Sequence, residues 1–576
     1  MYRAMFVLRI LDSEGWLVPY LDSNLEDNLR QKISLKPGRE PVYSTRGVVC
    51  SISPQASSVG TSILSSGGNA FDAIVAMAAV EGVTTSVGCG LGGEMFGLFY
   101  EAVPGKTWGM TASGKAPSRA NQNWFTDRGY KSIPLTGPLS AAIPGEIDAL
   151  QEITDKFGTM PFRDLIEPAI IYSEDGFPIS RFYSGAFKAM NDKLNIYEST
   201  SSIFTNKGIP FREGQIIRQP ELSKTLKLVS ENGAREFYEG DLAERMLKSM
   251  SDDGGLYSLK DFRSHQTVWY DSPISTSYRG RDIVETSLPS QGFMVLEMLN
   301  ILEAYDFNEM GLYSSKLCHL MVEAKKLAFA DRNTYMGDPE FVAAPIDEMI
   351  SKEYAAQRRR KIDCSQAMNS PPAGILGLPL TGDDTSYLCA VDGMGNAVSL
   401  IHSLSMGFGS GFVAGDTGVL LNNRIGRGFN LIAGHPNVIE PLKKTMHTLN
   451  AYLVLEKGKP VLVGGTPGGD GQIPWNVQTI TNAIDFSMNP QQAVDAPRWT
   501  HTPGTDPATI NQEPFLELDV GMPADILETL AGLGHDVTVN DSGSFGGSAK
   551  MIKINQESGV ISGGSDRRSD GLSSAL

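Results

Sequence analysis

The sequence has few of the residues that build disulfide frameworks or metal sites. Its five cysteines are scattered along 576 residues, and none of them forms a CxxC pair. The seven histidines form neither an HExxH nor an HxH pattern, and no GxGxxG or GxxxxGK[ST] motif is present. These absences argue against a disulfide-stapled domain, a protein-bound metal and a nucleotide. We therefore expect no cofactor, no metal and a reducing, cytoplasmic location.

Long apolar runs and positive charge are also scarce. No window of 18 uncharged apolar residues occurs, which predicts no transmembrane helix, and Arg9 interrupts the apolar N-terminal stretch, which argues against a signal peptide. Lys and Arg number 49 against 66 Asp and Glu, for a net charge of -17. Such an acidic chain is poorly suited to nucleic acid or an anionic membrane, so we expect neither as a partner.

What the sequence does have is glycine and length. Glycine supplies 61 residues without a Gly-X-Y period, so the excess predicts tight turns and close approaches of the backbone. The length alone would allow about four domains. The hydrophobic fraction of 41% is enough for a large buried core.

Helices and strands are segregated along the chain. Residues 1–46 look like an irregular, polar arm, after which helical patterns dominate to about residue 380. Past residue 381, alternating apolar residues and glycine-containing turns predict hairpins. This order favours an α+β fold in which helices cover a sandwich of strands. The predicted helices are Ala56–Ser66, Ala70–Val83, Ile147–Phe157, Phe162–Asp175, Gly292–Ala304, Leu317–Ala330 and Pro523–Leu533.

Thr385 lies where the strand-rich region begins. A threonine hydroxyl is a weak nucleophile unless a base lies beside it. One solution makes the threonine a chain terminus, whose own α-amine, with a pKa of about 8, serves as the base. The acidic, glycine-containing segment Thr381–Asp384 would suit cleavage before Thr385, although the same residues also suit an ordinary loop before a strand.

Seven motifs occur in order between about residues 47 and 570. They are Gly67-Gly68-Asn69-Ala70, Gly90-Leu91-Gly92-Gly93, Phe157-Gly158-Thr159-Met160-Pro161, Thr385-Ser386-Tyr387, Gly418-Val419-Leu420-Leu421-Asn422-Asn423, Gly465-Thr466-Pro467-Gly468-Gly469 and Asp495-Ala496-Pro497-Arg498. Together they resemble the γ-glutamyltranspeptidase family of N-terminal-nucleophile hydrolases. Within that family, these motifs most resemble those of the oxamate amidohydrolase-like branch.

The resemblance implies a four-layer αββα sandwich and a precursor that cuts itself between Asp384 and Thr385. A large chain, 47–384, and a small chain, 385–576, would then associate as one αββα domain, and a homo-oligomer is left open. Thr385 would attack an amide carbonyl to form an acyl-enzyme, which water or an amine would release. Gly468 and Gly469 match the oxyanion-hole glycines, unless they form only a turn. Ser403 stands where the family has a threonine.

The sequence departs from the family where the substrate is held. Residues that bind an α-ammonium in the family are replaced by Arg424 and Arg427. The family's carboxylate-pairing arginine falls on Ser113, and its two carboxylate-binding serines fall on His447 and Thr448. Ser405 stands where the family has an asparagine, twenty residues after the nucleophile. An arginine repels an ammonium and favours a carboxylate. We therefore expect a small-molecule amide with a free carboxylate, such as a monoamide of a dicarboxylic acid. The alternative is that both arginines only pair with local acids.

Two further residues follow the oxyanion glycines, namely Asp470 and Gln472. Either is a candidate substrate contact, although Asp470 would equally suit a cap on the following helix. Two other functions stay open within the family: a genuine γ-glutamyl hydrolase or transferase, and a β-lactam side-chain acylase. A function of another class is a catalytically silent member that binds a ligand without cutting itself.

Overall fold

Two seven-stranded antiparallel sheets form the centre of the computed structural model, which describes residues 8–11, 17–20, 38–368, 385–502, 514–540 and 546–576. In spatial order, the first sheet contains Leu572–Ala575, Gly47–Ser51, Ser386–Asp392, Ala397–Ser403, Glu94–Glu101, Lys106–Ala112 and Val268–Tyr270. The second sheet contains Ser275–Tyr278, Arg281–Glu285, Tyr452–Glu456, Lys459–Gly465, Lys550–Ile554, Ile561–Ser565 and Val42–Ser44.

The two sheets pack face to face through a shared apolar cluster. Tyr387 and Phe96 enter it from the first sheet, and Val463 and Ile552 enter it from the second. Helices cover the outer face of each sheet. Those over the first sheet include Pro54–Ser65, Ala70–Thr84, Glu146–Phe157 and Phe162–Asp175, and those over the second include Phe293–Leu302, Ser315–Tyr335 and Gln472–Ile484. The order of layers is therefore αββα, as expected.

Small residues let the central helix of the first outer layer pack closely. Every residue of Ala70–Thr84 is buried, and Asn69 begins the helix with a capping box to Asp72. The neighbouring helix contributes Gly60, where an added Cβ would lie 2.3 Å from the sulfur of Met77. Only glycine allows this approach, which presses both helices onto the sheet.

The remaining elements surround this sandwich. The other helices are Gln122–Thr126, Arg181–Ala189, Asn191–Leu194, Glu198–Phe204, Pro220–Asn232, Glu236–Glu239, Asp241–Asp252, Leu259–Arg263, Phe307–Met310, Ile346–Met349, Lys352–Arg359, Arg424–Gly428, Pro490–Asp495 and Asp525–Gly532, with 3-10 turns at Pro138–Ser140 and Gly469–Gly471. Smaller sheets pair Trp499–Thr502, Phe515–Asp519 and Val537–Asn540, then Phe177–Pro178 with Ile216–Ile217, and Leu8–Leu11 with Leu17–Tyr20.

The structure differs from the sequence-based expectation in the first 46 residues. This segment was expected to be irregular, yet Val42–Ser44 is an edge strand of the second sheet, and two other short strands pair with each other. Short strands carry too few residues for an alternating pattern to be visible. No helix in the described ranges is long and apolar enough to cross a bilayer.

Candidate active site

Thr385 lies at the start of a central strand of the first sheet. In the register, Ser386 pairs with His402, and Ser403 pairs with Glu94 on the next strand. Thr385, Ser403 and Glu94 therefore form a row across three neighbouring strands. The Oγ1 atom of Thr385 lies 3.1 Å from Oγ of Ser403, which also accepts the Ser405 N–H at 2.8 Å. Asp384, on the other side of the expected cleavage point, lies outside the described residues.

A cavity of about 70 Å³ opens beside Thr385. Gly468, Ser548 and Tyr183 are among the residues of its wall. Gly88 also lines it, and an added Cβ there would lie 3.3 Å from the Thr385 carbonyl carbon. Thr385 is 5% exposed, so what reaches it must enter this narrow space.

Gly468 and Gly469 present their backbone to the site. Their φ angles are +129° and +54°, a region that side chains other than glycine rarely adopt. Neither N–H donates a hydrogen bond to a residue that the structure describes. The Trp475 ring packs against Gly468, where an added Cβ would lie 2.1 Å from Cζ3. Two unengaged donors on a backbone held in this way suit an oxyanion hole.

Glu94 contacts two of the candidate substrate residues, Arg424 and His447. One carboxylate oxygen accepts the Gly114 N–H at 2.9 Å and lies 3.2 Å from Nε2 of His447, and the other accepts Nε of Arg424 at 2.9 Å. Ser113, at the position where the family has an arginine, lies 2.9 Å from the same His447 nitrogen. All these side chains are buried.

The charges of this cluster follow from its contacts. Burial would raise the pKa of Glu94, but His447, Arg424 and the Gly114 N–H lower it to about 2. Burial, together with the charge of Arg424, lowers the pKa of His447 to about 4. At pH 7, Glu94 is a carboxylate and His447 is a neutral ring. The alternative in which Arg424 pairs with a local acid is therefore observed, and that acid is Glu94. The pair lies among the candidate substrate residues.

Arg427 lies one helical turn after Arg424 and is also buried. It donates a hydrogen bond to the carbonyl of Ser405, a residue with a φ of +86°. A non-glycine residue in that region is uncommon and marks a backbone that its surroundings hold in place. The arginine therefore connects to the Thr385 row through Ser405 and Ser403.

Several buried polar atoms around this cluster have no hydrogen-bond partner among the residues that the structure describes. They are Oγ of Ser405, Oγ1 of Thr448, Nδ1 of His447, Nε2 of Gln472 and Oδ1 of Asn423. Nearly all buried polar atoms in native proteins are paired with protein or water. A concentration of atoms left without such partners is the pattern expected of a pocket for a polar substrate.

Asp470 forms an ion pair, with its Oδ1 atom 2.5 Å from Nη1 of Arg332. It does not cap the following helix, which begins after Gly471 without a side-chain cap. Arg332 also donates to the side chain of Gln291, whose Nε2 donates to the carbonyls of Thr448 at 2.8 Å and Gly469 at 3.2 Å. Gln291 and Arg332 thus hold the oxyanion segment in place. No motif pointed to them.

A second buried network, of hydrogen bonds and ion pairs, contacts Ser386, the residue that follows Thr385. The carboxylate of Glu81 accepts a hydrogen bond from Ser386 and lies 2.8 Å from Nε2 of His402, whose Nδ1 is 3.2 Å from Glu146. Burial works against a charged ring, yet acidic neighbours, Cys89 and Glu146 among them, raise the pKa of His402 well above its ordinary value. His402 is therefore a cation that ties two helices to the nucleophile strand.

Two buried groups bring their donor atoms close enough to hold a metal, namely Glu81, Cys89 and His402, and His319, Glu323 and His535. In the second group, His319 and His535 hydrogen bond to each other at 2.8 Å, and Glu323 pairs with Lys326 at 2.7 Å. The donor atoms of both groups are thus engaged by protein partners, which accounts for their proximity without an ion.

The comparisons with known proteins each match this chain over most of its length. The family model described as Gamma-glutamyltranspeptidase matches residues 56–576. The glutathione hydrolase-like YwrD proenzyme of Bacillus subtilis (strain 168) is 36% identical over 537 residues, which cover 92% of this chain and 98% of that protein. The glutathione hydrolase proenzyme of Escherichia coli (strain K12) is 33% identical over 545 residues, covering 92% and 91%.

Among solved structures, the cephalosporin acylase from Bacillus halodurans superposes with a TM-score of 0.86 at 32% sequence identity. The match covers 94% of this chain and 98% of that one. The similarity therefore extends over both sides of Thr385.

Proposed function

The chain belongs to the γ-glutamyltranspeptidase family of enzymes, and from that premise we propose that it is an autoprocessed amidohydrolase acting on small amides with a free carboxylate. Cleavage before Thr385 frees its α-amine. This α-amine takes the proton of the Thr385 hydroxyl as Oγ1 attacks the amide carbonyl of the substrate. The N–H groups of Gly468 and Gly469 stabilise the oxyanion that forms. The amine of the substrate leaves, and water releases the acid from the acyl-enzyme.

The observation that carries the substrate class is the buried guanidinium of Arg427, which donates to the Ser405 carbonyl in the cluster that the Thr385 row joins. Arg424 lies in the same cluster and is paired with the Glu94 carboxylate. An acyl group with an α-ammonium would place like charges together in a pocket of low dielectric. A carboxylate instead accepts charge-assisted hydrogen bonds. The unpaired atoms of Ser405, Thr448 and Gln472 supply further polar contacts for such a group.

A second candidate is hydrolysis of γ-glutamyl compounds or an acylase reaction. The names of the relatives favour it, since they include glutathione hydrolases and a cephalosporin acylase. The two candidates differ in whether the acyl donor carries an ammonium next to its carboxylate. That single group can be varied.

Glutaryl p-nitroanilide and γ-glutamyl p-nitroanilide form the matched pair, because they differ only in the α-ammonium. We expect the purified enzyme to hydrolyse the glutaryl compound with a kcat/KM at least about tenfold higher, and to accept oxamate-like monoamides. Faster turnover of the γ-glutamyl compound would overturn the substrate class and favour the second candidate.

Processing is tested on a denaturing gel. We expect two bands, at about two-thirds and one-third of 62.2 kDa, and an N-terminal sequence beginning at Thr385 in the smaller one. Thr385→Ala should stay intact, and Thr385→Ser, which keeps a hydroxyl, should still process. One intact band for the unmodified chain, without hydrolysis of either anilide, would indicate the silent, ligand-binding alternative.

A further inference from the structure

Lys550 is a fully buried lysine without a carboxylate partner among the described residues. Its Nζ atom donates to the carbonyl of Ser548 at 2.7 Å and to Oγ of Ser548 at 2.6 Å. A buried ammonium without a counter-ion is costly, so such a group is rare unless it has a use.

The charged and titratable groups around Lys550 are already engaged or neutral. Glu81 is bound by Ser386 and His402, and Arg498 pairs with Asp566. The remaining neighbours are two buried thiols, Cys50 and Cys389, and burial raises the pKa of Cys389 well above its ordinary value. None of these groups supplies a local negative charge dedicated to the lysine.

Ser548 connects this lysine to the catalytic cavity. It lines the same cavity as Thr385 and Gly468, and it is nearly fully buried. Its N–H donates to Oγ1 of Thr466 at 3.1 Å, which fixes the backbone, and its hydroxyl hydrogen bonds with Ser569. Ser548 is therefore a residue of the cavity wall whose hydroxyl contacts the Lys550 ammonium.

Burial also lowers the pKa of Lys550 to about 7. A group of this kind takes up and releases a proton near neutral pH, which is the property that general acid–base catalysis requires. After the attack, the α-ammonium of Thr385 is one group that can give a proton to the leaving nitrogen, and the Lys550 ammonium behind Ser548 is another.

We propose that Ser548 and Lys550 form a proton relay to the leaving nitrogen. As the amide C–N bond breaks, the nitrogen takes the proton of the Ser548 hydroxyl, and Ser548 regains one from the Lys550 ammonium. Water then attacks the acyl-enzyme, and its proton returns through Ser548 to the neutral amine of Lys550. The α-ammonium of Thr385 gives its proton back to Oγ1 as the ester breaks. Amide and water become acid and amine.

The relay rests on the proposed amidohydrolase function and predicts a dependence on the leaving group. Two substrates with the same acyl group are compared, an alkyl amide, whose nitrogen must be protonated to leave, and a p-nitrophenyl ester, whose oxygen need not be. Lys550→Met and Ser548→Ala should lower kcat/KM for the amide by about 10²–10⁴-fold and for the ester by less than about tenfold. Lys553→Met, on the same strand and partly exposed, should change neither.

Equal losses for amide and ester would overturn the relay, because a purely structural role affects both substrates alike. Thermal melting and the two processed bands check folding, and Ser548→Ala decides the question if Lys550→Met does not fold. If the wild type prefers γ-glutamyl substrates, the proposed acyl group is wrong, yet the relay is tested with the γ-glutamyl amide and ester. Without any turnover, both proposals fall.

Discussion

The Nε atom of Arg424 lies 2.9 Å from Oε2 of Glu94, and both side chains are buried. The residues are 330 positions apart in the chain. Glu94 is one of the three residues in the Thr385 row. This contact therefore connects the candidate substrate residues to the strand register that positions Thr385.

The Glu94 carboxylate should stabilise the fold in a pH-dependent way. Its pKa of about 2 lies below the value of about 4.3 in an unfolded chain, so its stabilisation is present above pH 4.3 and is lost as the pH falls toward 2. Glu94→Gln should therefore lower the free energy of unfolding at pH 7 by about 3 kcal/mol. Urea unfolding at pH 7, 5 and 3 should show the gap to the wild type narrowing.

Glu340→Gln provides the control, because Glu340 forms an exposed ion pair with Lys115. Such pairs contribute about 0–1 kcal/mol. A gap between Glu94→Gln and the wild type that stays constant with pH would contradict the assigned charge.

Arg427 should discriminate between acyl groups. Arg427→Gln removes a guanidinium and should raise KM for glutaryl p-nitroanilide by about 10–100-fold, the value of a charge-assisted hydrogen bond, with a smaller effect on the γ-glutamyl compound. Steady-state kinetics on both substrates measure the difference. Arg163→Gln, at an exposed site, serves as the control. Equal effects on both substrates would speak against carboxylate recognition.

Gly468 should tolerate no side chain. Gly468→Ala would force a Cβ into the Trp475 ring and turn the backbone N–H, so we expect kcat to fall by about 10²–10³-fold. Gly185→Ala is the matched control, since Gly185 lies in a helix with open space around it and should gain up to about 1 kcal/mol. A Gly468→Ala enzyme with unchanged kcat would exclude this glycine from the oxyanion hole.

His402 should contribute strongly to the stability of the fold around Thr385. His402→Gln leaves Glu81 and Glu146 buried without a cation, which should cost about 3–5 kcal/mol. Because the pKa of His402 is raised, its stabilisation is complete below pH 6.5 and is lost as the pH rises through the folded value. The melting temperatures of wild type and variant should converge as the pH rises above 6.5 and through the raised pKa of His402.

A double variant tests the cause. Adding Glu81→Gln to His402→Gln removes one buried carboxylate and should recover part of the lost melting temperature. A double variant no more stable than the single one would mean that the charge balance is not what the histidine supplies.

Features carried by neighbouring residues could be predicted from the sequence. The helix at Ala70–Thr84 was expected within one residue, because Asn69 marks its start. Thr385 and Gly468 were identified through motifs in which the residues that do the chemistry are adjacent in the chain. The sandwich followed from the resemblance, since local patterns do not encode which distant strands pair.

Features that join distant segments could not be predicted in the same way. Gln291, in the turn before Phe293–Leu302, and Arg332, in the helix Ser315–Tyr335, contact the oxyanion segment from more than 130 residues away. No spacing in the sequence relates them to Gly469. Ser548 and Lys550 are only two residues apart, but Ser548 precedes the strand Lys550–Ile554, so strand alternation alone does not relate them.

Each of the two sheets contains strands that precede Thr385 and strands that follow it. Gly47–Ser51, for example, lies between Leu572–Ala575 and Ser386–Asp392. Separate genes for the segments before and after the start of Thr385 would yield two polypeptides. Each would have unpaired strand edges that are prone to aggregation. Under the proposed processing, the peptide bond before Thr385 holds the two segments in one chain while the sheets assemble and is no longer needed once they have closed. Separate expression of the halves should give insoluble protein, and co-expression is the way to recover the pair.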